Sequence, residues 1–236
     1  MHLFFNPDIN QTTQEIVFDK IESKHIVRVL RKKEENLLYI TNGKGLLFTA
    51  KITIADAKKC LAVIIDVIEK PKHWNYYIHI AIAPTKNNDR LEWFLEKATE
   101  IGIDEITPII CSNSERKIVK TERLQKIIQA AMKQSLQTVL PQLNEPIKFN
   151  DFISNDNKGT YYIAHCENEG KKELLKNTMP NSEKKIILIG PEGDFSKREI
   201  ELALQRNYTP ISLGESRLRT ETAALVAVHT ISLINQ

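Results

Sequence analysis

Two glycine-bearing segments near the C-terminus combine residue types that suit a ligand site. They are IGPEGDF at 189–195 and LGESRLRTET at 213–222. Each follows a short apolar run that is typical of a buried strand. Glycine lets the backbone approach a ligand closely, and in open parallel sheets ligands bind beyond the carboxyl ends of the strands. The pair, about 20 residues apart, therefore indicates two walls of one site.

Each segment taken alone also has a purely structural interpretation. The run Gly190 to Gly193 fits a common β-turn, with proline at its second position. Thr220 fits a helix N-cap, with Glu221 in the first turn of that helix. Neither segment contains GxGxxG or a P-loop pattern, so a phosphate-binding loop of either kind is not indicated.

From Tyr77 onward the pattern alternates between strands and helices. Predicted strands are Tyr77 to Ala83, ITPII, TYYIAHC, KIILIG and PISLG, and predicted helices begin near Asp89, Thr121, Lys197 and Glu221. Gly102 is expected to end the first helix, and Ser196 with Glu199 forms a capping box. The alternation predicts an α/β fold with a mostly parallel sheet covered on both faces.

The first 70 residues instead indicate short strands separated by turns. HIVRVL has the β-branched composition of a strand, and Asn42-Gly43 with Gly45 predicts a hairpin between Leu37–Thr41 and Leu46–Ile54. A small β-barrel or sandwich is expected. Charges and a proline near residue 70 indicate a linker, which divides the chain into 1–70 and 71–236.

Bulk composition is that of an ordinary globular protein and excludes a disordered or a fibrous one. The 236 residues are 42% hydrophobic and 27% charged with a net charge of +3, so any RNA-binding surface must be a local patch. No signal peptide and no apolar run of about 20 residues is visible, so a cytoplasmic protein without a membrane span is expected. Three cysteines without a CxxC pair predict buried reduced thiols, and the histidines show no metal-binding spacing.

The two glycine-bearing segments carry a family resemblance. IGPEGDFSKREIE and LGESRLRTETAALVAV resemble the SPOUT class of methyltransferases, and most closely the small-subunit ribosomal RNA methyltransferase E family. The resemblance extends to KNNDRLEWFLEKATEIGIDEITPI, to SERKIVKTERLQKIIQAAMKQS, and to MHLFFNP with HIVRVLRKK. It implies a C-terminal SPOUT-like parallel sheet with a deep trefoil knot, a small N-terminal PUA-like β-barrel that binds RNA, and a homodimer.

The resemblance also implies an activity, which is methyl transfer from S-adenosylmethionine (SAM) to N3 of a uridine in 16S rRNA of the small ribosomal subunit, without a metal. Adenine and ribose would be held by backbone groups and leucine side chains of six residues. These are Ile189, Gly190, Gly193, Leu213, Gly214 and Leu218.

Uridine N3 must lose a proton before it can attack, and this happens about two units above neutral pH. Reaching the anion therefore costs roughly 2.7 kcal/mol. Arg219 is the first candidate for a cation beside the developing oxyanion, because it cannot deprotonate. Glu192 is a candidate general base. The alternative for both residues is a structural role, in which Arg219 pairs with Glu192 or Glu221 and the ion pair holds the two loops together.

Basic residues suggest where RNA would bind. KHIVRVLRKK carries Arg28, Arg31, Lys32 and Lys33 with no acid among them, and Arg116 begins a second candidate patch. Phosphate contacts would supply affinity with little sequence choice. The alternative for the first patch is a solvated strand edge.

Three positions depart from the pattern common in the family. Ser216 stands where arginine is usual, Arg217 where an aliphatic residue is usual, and Gln137 where a basic residue often follows the Gln-Ser pair. His165 is interpreted as structural and lies outside the predicted site. Competing functions are a SPOUT methyltransferase of another RNA site, either a ribose hydroxyl or a tRNA base, and a non-catalytic RNA-binding protein. A Rossmann-type metabolic enzyme lacks its phosphate fingerprint here.

Overall fold

The computed structural model describes residues 2–155, 159–167, 172–178 and 184–235. The chain divides into two compact units, Met1–His73 with Met132–Leu140, and Trp74–Ala131 with Pro141–Gln236. The chain leaves the first unit within a few residues of the predicted linker. The predicted domains, 1–70 and 71–236, were each continuous in sequence, so they did not place Met132–Leu140 in the first unit.

The first unit is built on a five-stranded sheet. Its elements are β1 (Leu3–Phe5), β2 (Glu15–Val17), α1 (Lys20–Lys24), β3 (Leu37–Thr41), β4 (Leu46–Ile54) and β5 (Leu61–Glu69). The strand order is β1-β3-β4-β5-β2, in which β1 and β3 are parallel and the other pairs antiparallel. The predicted β3–β4 hairpin is confirmed, and Gly43 and Gly45 in its turn have φ values of +73° and +85°.

The strand predicted for HIVRVL is wrong, because His25–Val29 form a π-helical turn that continues α1. The Asp19 carboxylate caps α1 by accepting a hydrogen bond from the Glu22 amide at 2.8 Å. The buried Ser23 hydroxyl donates to the Phe18 carbonyl at 3.1 Å. Ile26 is fully buried whereas Val29 is 65% exposed. Capping and burial of one face of the turn therefore outweigh the β-branched composition.

Met132–Leu140 joins the first unit through backbone and side-chain hydrogen bonds. The Gly45 amide donates to the Thr138 carbonyl at 2.9 Å, and the Leu140 amide donates to the Gly43 carbonyl at 2.9 Å. The Thr41 hydroxyl also donates to the Thr138 carbonyl, at 3.0 Å. Because the last bond joins residues 97 positions apart, the local pattern of the sequence carried no signal for it.

The second unit confirms the predicted α/β class. Its elements are β6 (Tyr77–Ile82), α2 (Asn88–Ile101), β7 (Glu105–Ile110), α3 (Thr121–Gln134, whose end lies in the first unit), β8 (Gln142–Leu143), β9 (Ile147–Lys148), α4 (Phe149–Ser154), β10 (Thr160–Ala164), β11 (Glu173–Leu174), a 3-10 turn (Leu175–Asn177), β12 (Lys184–Ile189), α5 (Lys197–Gln205), β13 (Thr209–Ser212) and α6 (Thr220–Ile234). The strands form an eight-stranded sheet in the order β11-β13-β10-β12-β6-β7-β8, with β9 paired to β7. All of these pairs are parallel.

Helix ends in this unit follow local hydrogen bonding. The capping box of Ser196 and Glu199 is confirmed at the start of α5, and Gly102 ends α2 as predicted. The helix predicted to begin near Asp89 is α2. By residue type Asp89 can cap such a helix, but it lies inside α2, and the Asn87 side chain is the cap, since it accepts a hydrogen bond from the Asp89 amide at 3.1 Å.

Strand register determines where the loops meet. Ala164 of β10 is aligned with Ile189 of β12 and with Ile211 of β13, and Ile189 is aligned with Ile82 of β6. Since all four strands are parallel, the loops that follow them leave the sheet at one edge. Both glycine-bearing segments belong to this edge.

Candidate ligand and catalytic site

Two neighbouring cavities lie at the carboxyl edge of the second unit's sheet. Their volumes are about 450 Å³ and about 330 Å³, within the size range of small-molecule sites. Residues that line both cavities are Ala164, Cys166, Arg217, Leu218 and Ala223. The shared wall indicates one composite site.

The larger cavity is bounded by the backbone that follows β13. Its lining includes Ile211 to Leu218, so the predicted residues Leu213, Gly214 and Leu218 all lie in its wall. Gly214 has a φ of +138°, which favours glycine, and among the described residues other than its two chain neighbours no atom lies within 4 Å of the position its Cβ would take. Among the described residues, no backbone group of Glu215 to Arg217 has a hydrogen-bond partner. These peptide groups are available to a ligand.

The smaller cavity is bounded by the segment that follows β12 together with the start of α6. Ile189, Gly190 and Glu192 line it on one side, and Arg219 and Thr220 on the other. Both predicted catalytic residues therefore share one cavity. Gly193 is the exception among the predicted cofactor residues, since it packs on Asn113, whose side-chain amide donates to the Gly193 carbonyl at 3.2 Å.

A hydrogen bond joins the two glycine-bearing segments. The Thr220 hydroxyl is buried and donates to the Gly190 carbonyl at 3.0 Å. The predicted N-cap role of Thr220 is wrong, because α6 begins at Thr220 and Arg219 occupies the N-cap position without a capping side-chain bond. The hydroxyl therefore bonds to the other glycine-bearing segment and does not cap its own helix.

Packing explains why residue 190 is glycine. A Cβ there would lie 3.0 Å from the Phe195 ring, so Gly190 allows that buried ring to lie directly on the backbone. This packing role is separate from any approach of a ligand, and the two are compatible.

Glu192 braces its loop, but with a different partner from the one predicted. Its carboxylate accepts a hydrogen bond from the Lys86 amide at 3.0 Å. Arg116, a predicted RNA-binding residue, donates to the Lys86 carbonyl at 2.8 Å and 3.2 Å, so its guanidinium holds the same residue from the other side. Glu221 lies 3.8 Å from Arg90.

Arg219 is exposed at the mouth of the smaller cavity. Within the part of the chain that the structure describes, its guanidinium makes no hydrogen bond and no ion pair, and this also holds for the guanidinium of Arg217. The predicted alternative, in which Arg219 pairs with Glu192 or Glu221, is not what the structure has.

Sequence reasoning missed the wall that follows β10. His165 lines the larger cavity, and its Nδ1 is buried without a hydrogen-bond partner among the described residues. Burial lowers the pKa of His165, so the imidazole is neutral at neutral pH. Cys166 was expected to be buried, as Cys60 and Cys111 are, but it is exposed. The position of both residues at the carboxyl end of a strand was the signal that could have found them.

Residues of the predicted basic patch lie in the first unit. Arg28, Arg31 and Lys33 are exposed on the helical turn and the loop after it, whereas the half-buried Lys32 ammonium donates to the Leu37 carbonyl at 3.3 Å. The predicted strand edge is therefore a helical surface.

Two kinds of feature are absent from the described ranges. No helix in them is sufficiently long and apolar to span a membrane. No cluster of three or more histidine, cysteine or acidic side chains in them has the arrangement of a metal site.

Comparison with known proteins identifies the family. Residues 72–232 match the RNA methyltransferase domain, and residues 18–65 match the RNA methyltransferase PUA domain. Ribosomal RNA small subunit methyltransferase E of Rickettsia conorii is 31% identical over 89% of this chain and 86% of its own length. The chain belongs to the ribosomal RNA small subunit methyltransferase E family.

Solved structures agree with membership of the methyltransferase E family. A "probable rRNA-methyltransferase" from Porphyromonas gingivalis is 41% identical, with a TM-score of 0.92 over 100% of this chain and 98% of that one. A methyltransferase from Legionella pneumophila, solved in complex with the bound cofactor SAM, is 29% identical with a TM-score of 0.87, covering 98% of this chain and 97% of that one.

The Thr220 hydroxyl is expected to stabilise the site measurably. Thr220→Val removes the donor and leaves the Gly190 carbonyl buried without its partner, so the free energy of unfolding should fall by about 1–2 kcal/mol in urea titrations. Thr222→Val is the matched control, because the Thr222 hydroxyl makes no hydrogen bond within the described part of the chain. Equal stability of the two variants would contradict this role.

Proposed function

We propose that this protein transfers a methyl group from SAM to N3 of a uridine in 16S rRNA of the small ribosomal subunit. The observation that carries the proposal is the pair of neighbouring cavities with a shared wall, of which the smaller contains the Arg219 guanidinium without a partner among the described residues. The Legionella relative, whose structure contains SAM, supports the choice of cofactor. An rRNA substrate implies that the reaction takes place in the cytoplasm.

The larger cavity fits the adenosine part of SAM. Leu213 and Leu218 give apolar walls, and the backbone of Glu215 to Arg217 offers donors and acceptors without partners among the described residues. The buried Nδ1 of His165 is a further polar group that a ligand would satisfy. Apolar walls with unpartnered polar groups between them suit a heterocycle and a sugar.

The chain's own residues must make uridine N3 nucleophilic. SAM supplies an activated methyl group on a sulfonium, so no metal is required. The cost of the N3 anion, roughly 2.7 kcal/mol, falls when a fixed cation lies beside the uracil oxygen that gains negative charge. Arg219 suits this role because it is always charged and its guanidinium is not neutralised by a neighbouring described carboxylate.

Glu192 has two roles compatible with its position. One carboxylate oxygen accepts the Lys86 amide bond, and the residue also lines the cavity that contains Arg219. Bracing of the loop after β12 accounts for the first contact. Acceptance of the N3 proton would use the remaining acceptor capacity of the carboxylate.

The trefoil knot of the SPOUT class is part of the proposal. β13 lies beyond β10 in the sheet, yet the chain that follows it returns as α6 to contact β12 and β6. Such a return, tied by the bond from Thr220 to Gly190, supports a C-terminal segment threaded through the loops of the carboxyl edge.

A homodimer is also proposed, on the basis of α6. Ala224, Ala227, Val228 and Ile231 bury one face of this helix in its own unit. A second face carries Leu225, Val226 and Leu233 at helical spacing, and Leu233 is 59% exposed. A stripe of this kind suits a helix that packs against a second copy of the chain.

Sedimentation velocity tests the dimer. We expect the wild-type protein to sediment as a dimer at micromolar concentration and Leu225→Asp with Leu233→Asp to shift it to a monomer, because charges would then be desolvated in the contact. Lys58→Asp with Lys59→Asp, which adds charge elsewhere, should remain a dimer. A monomeric wild-type protein would contradict the proposal.

RNA recruitment is proposed for the exposed basic residues of the first unit, Arg28, Arg31 and Lys33. The PUA match over residues 18–65 covers all three and supports this assignment. Arg116, which donates to Lys86, would contribute mainly by holding that loop.

Methylation of small subunits from cells that lack the gene tests the activity. With SAM present, the purified protein should produce 3-methyluridine, detected by mass spectrometry of rRNA nucleosides. Arg219→Ala should lower the turnover number by at least about a hundredfold, in the range seen when a group that stabilises an oxyanion is removed. Its SAM dissociation constant should stay within about threefold of wild type by calorimetry.

Thr222→Ala serves as a matched control near the same helix start, and it should retain activity. A different methylated nucleoside, such as a 2′-O-methylated one, would contradict the uridine N3 assignment. Parallel losses of turnover and SAM affinity in Arg219→Ala would contradict its catalytic role.

Salt dependence of RNA binding tests the basic patch. Arg31→Ala with Lys33→Ala removes two phosphate contacts, so the slope of log K against log salt should become shallower by about 1.5. Lys58→Ala with Lys59→Ala removes the same charge from another exposed loop of the first unit and should leave the slope unchanged. Identical slopes for the two double variants would show that the patch is misassigned.

A further inference from the structure

The side chain of Asp194 links loops that follow two neighbouring strands. Its Oδ2 accepts a hydrogen bond from the Cys166 amide at 2.6 Å, and its Oδ1 accepts one from the Phe195 amide at 2.8 Å. Cys166 follows β10, whereas Asp194 and Phe195 follow β12. A carboxylate that accepts backbone N–H bonds is among the stronger links available between two loops.

The backbone of Asp194 is attached at two further points. Its amide donates to the Pro191 carbonyl at 2.9 Å, which closes the turn. Its carbonyl accepts from the side-chain amide of Asn113, at 3.1 Å, on the loop after β7. Asp194 therefore connects loops from three strands of one sheet at the edge where the cavities lie.

The backbone of Asp194 has a conformation that is unfavourable for most residues with a side chain. Its φ is +61°, in the left-handed region, where glycine is unstrained and aspartate and asparagine are the better tolerated of the other residues. A glycine would suit the turn but would lack the carboxylate. The presence of a side chain here points to a role for the bond to Cys166.

The bond to Cys166 acts on the wall shared by the two cavities. Ala164 and Cys166 line both of them, and Asp194 itself lines the smaller one. Without the carboxylate, the segment after β10 loses its hydrogen bond to the segment after β12. The shared wall would then be free to move relative to the rest of the site.

We infer that Asp194 is a positioning residue for the cofactor, which holds the segment after β10 at the wall common to both cavities. The inference rests on the proposed SAM site and goes beyond it by assigning the preorganisation of that site to one carboxylate. Asp194 lies on the loop that also carries Glu192, but its effect is on binding of the cofactor rather than on the reacting atoms.

Calorimetric titration of SAM into the full-length protein tests the inference. Asp194→Gly removes the carboxylate and relieves the backbone, so the protein should remain folded while the SAM dissociation constant rises by about tenfold or more. At saturating SAM the turnover number should stay within about twofold of wild type. Asp194→Asn keeps one acceptor oxygen and should give a smaller rise.

Asn207→Gly is the matched control. Asn207 is exposed, has a φ of +62°, and lies outside the linings of both cavities, so glycine relieves the same backbone conformation there without touching the site. Its SAM affinity should equal that of wild type. Thermal melts of all variants establish that affinity is compared between folded proteins, and Asp194→Asn decides the question if Asp194→Gly does not fold.

The outcomes separate this inference from the proposed function. Wild-type binding of SAM with unchanged affinity in Asp194→Gly and Asp194→Asn would overturn the positioning role alone. A fall in turnover at saturating SAM without a change in affinity would also overturn it. Failure of the wild-type protein to bind SAM would contradict the proposed function, and the inference with it.

Discussion

The candidate site depends on one hydrogen bond, from the buried Thr220 hydroxyl to the Gly190 carbonyl. Gly190 is the first residue after β12, and Thr220 is the first residue of α6. The bond therefore fixes the start of the C-terminal helix against the end of a central strand. Arg219 directly precedes this point, so the same contact determines where its guanidinium can reach.

Acidic and basic groups around the smaller cavity are used differently. Both carboxylates in its lining, Glu192 and Asp194, accept hydrogen bonds from backbone amides of neighbouring loops. The guanidinium groups of Arg217 and Arg219 have no hydrogen-bond or ion-pair partner within the described residues. The carboxylates thus link neighbouring loops, whereas the two arginine side chains are exposed beside the cavity. This distribution is expected for a site that binds a polyanion and stabilises a developing negative charge.

Much of the second unit could be predicted from sequence, because its strands are continuous apolar runs and its helices carry apolar faces. Parallel pairing then placed both glycine-bearing segments at one edge, so five of the six predicted cofactor residues line a cavity, with Gly193 packed on Asn113 instead. Errors arose where a polar side chain had several possible partners. Thr220 suited an N-cap by type, yet its hydroxyl bonds to a residue 30 positions away.

Other features left no local signal. HIVRVL has a strand-like composition, but capping by Asp19 and burial of Ile26 make it helical. Met132–Leu140 joins the first unit through hydrogen bonds between residues far apart in sequence, such as the one from the Thr41 hydroxyl to the Thr138 carbonyl, 97 positions away. The local sequence does not distinguish Asp194 from other loop residues, and only its φ and its bond to Cys166 reveal a link between strands.

A crystal structure of the protein with SAM would show most directly whether the two neighbouring cavities form a single site for cofactor and substrate. We expect adenosine density against the backbone of Leu213 to Leu218, with the sulfonium end directed toward the cavity that contains Arg219. Ordered SAM bound elsewhere, with both cavities unfilled, would show that the cavities are not this site.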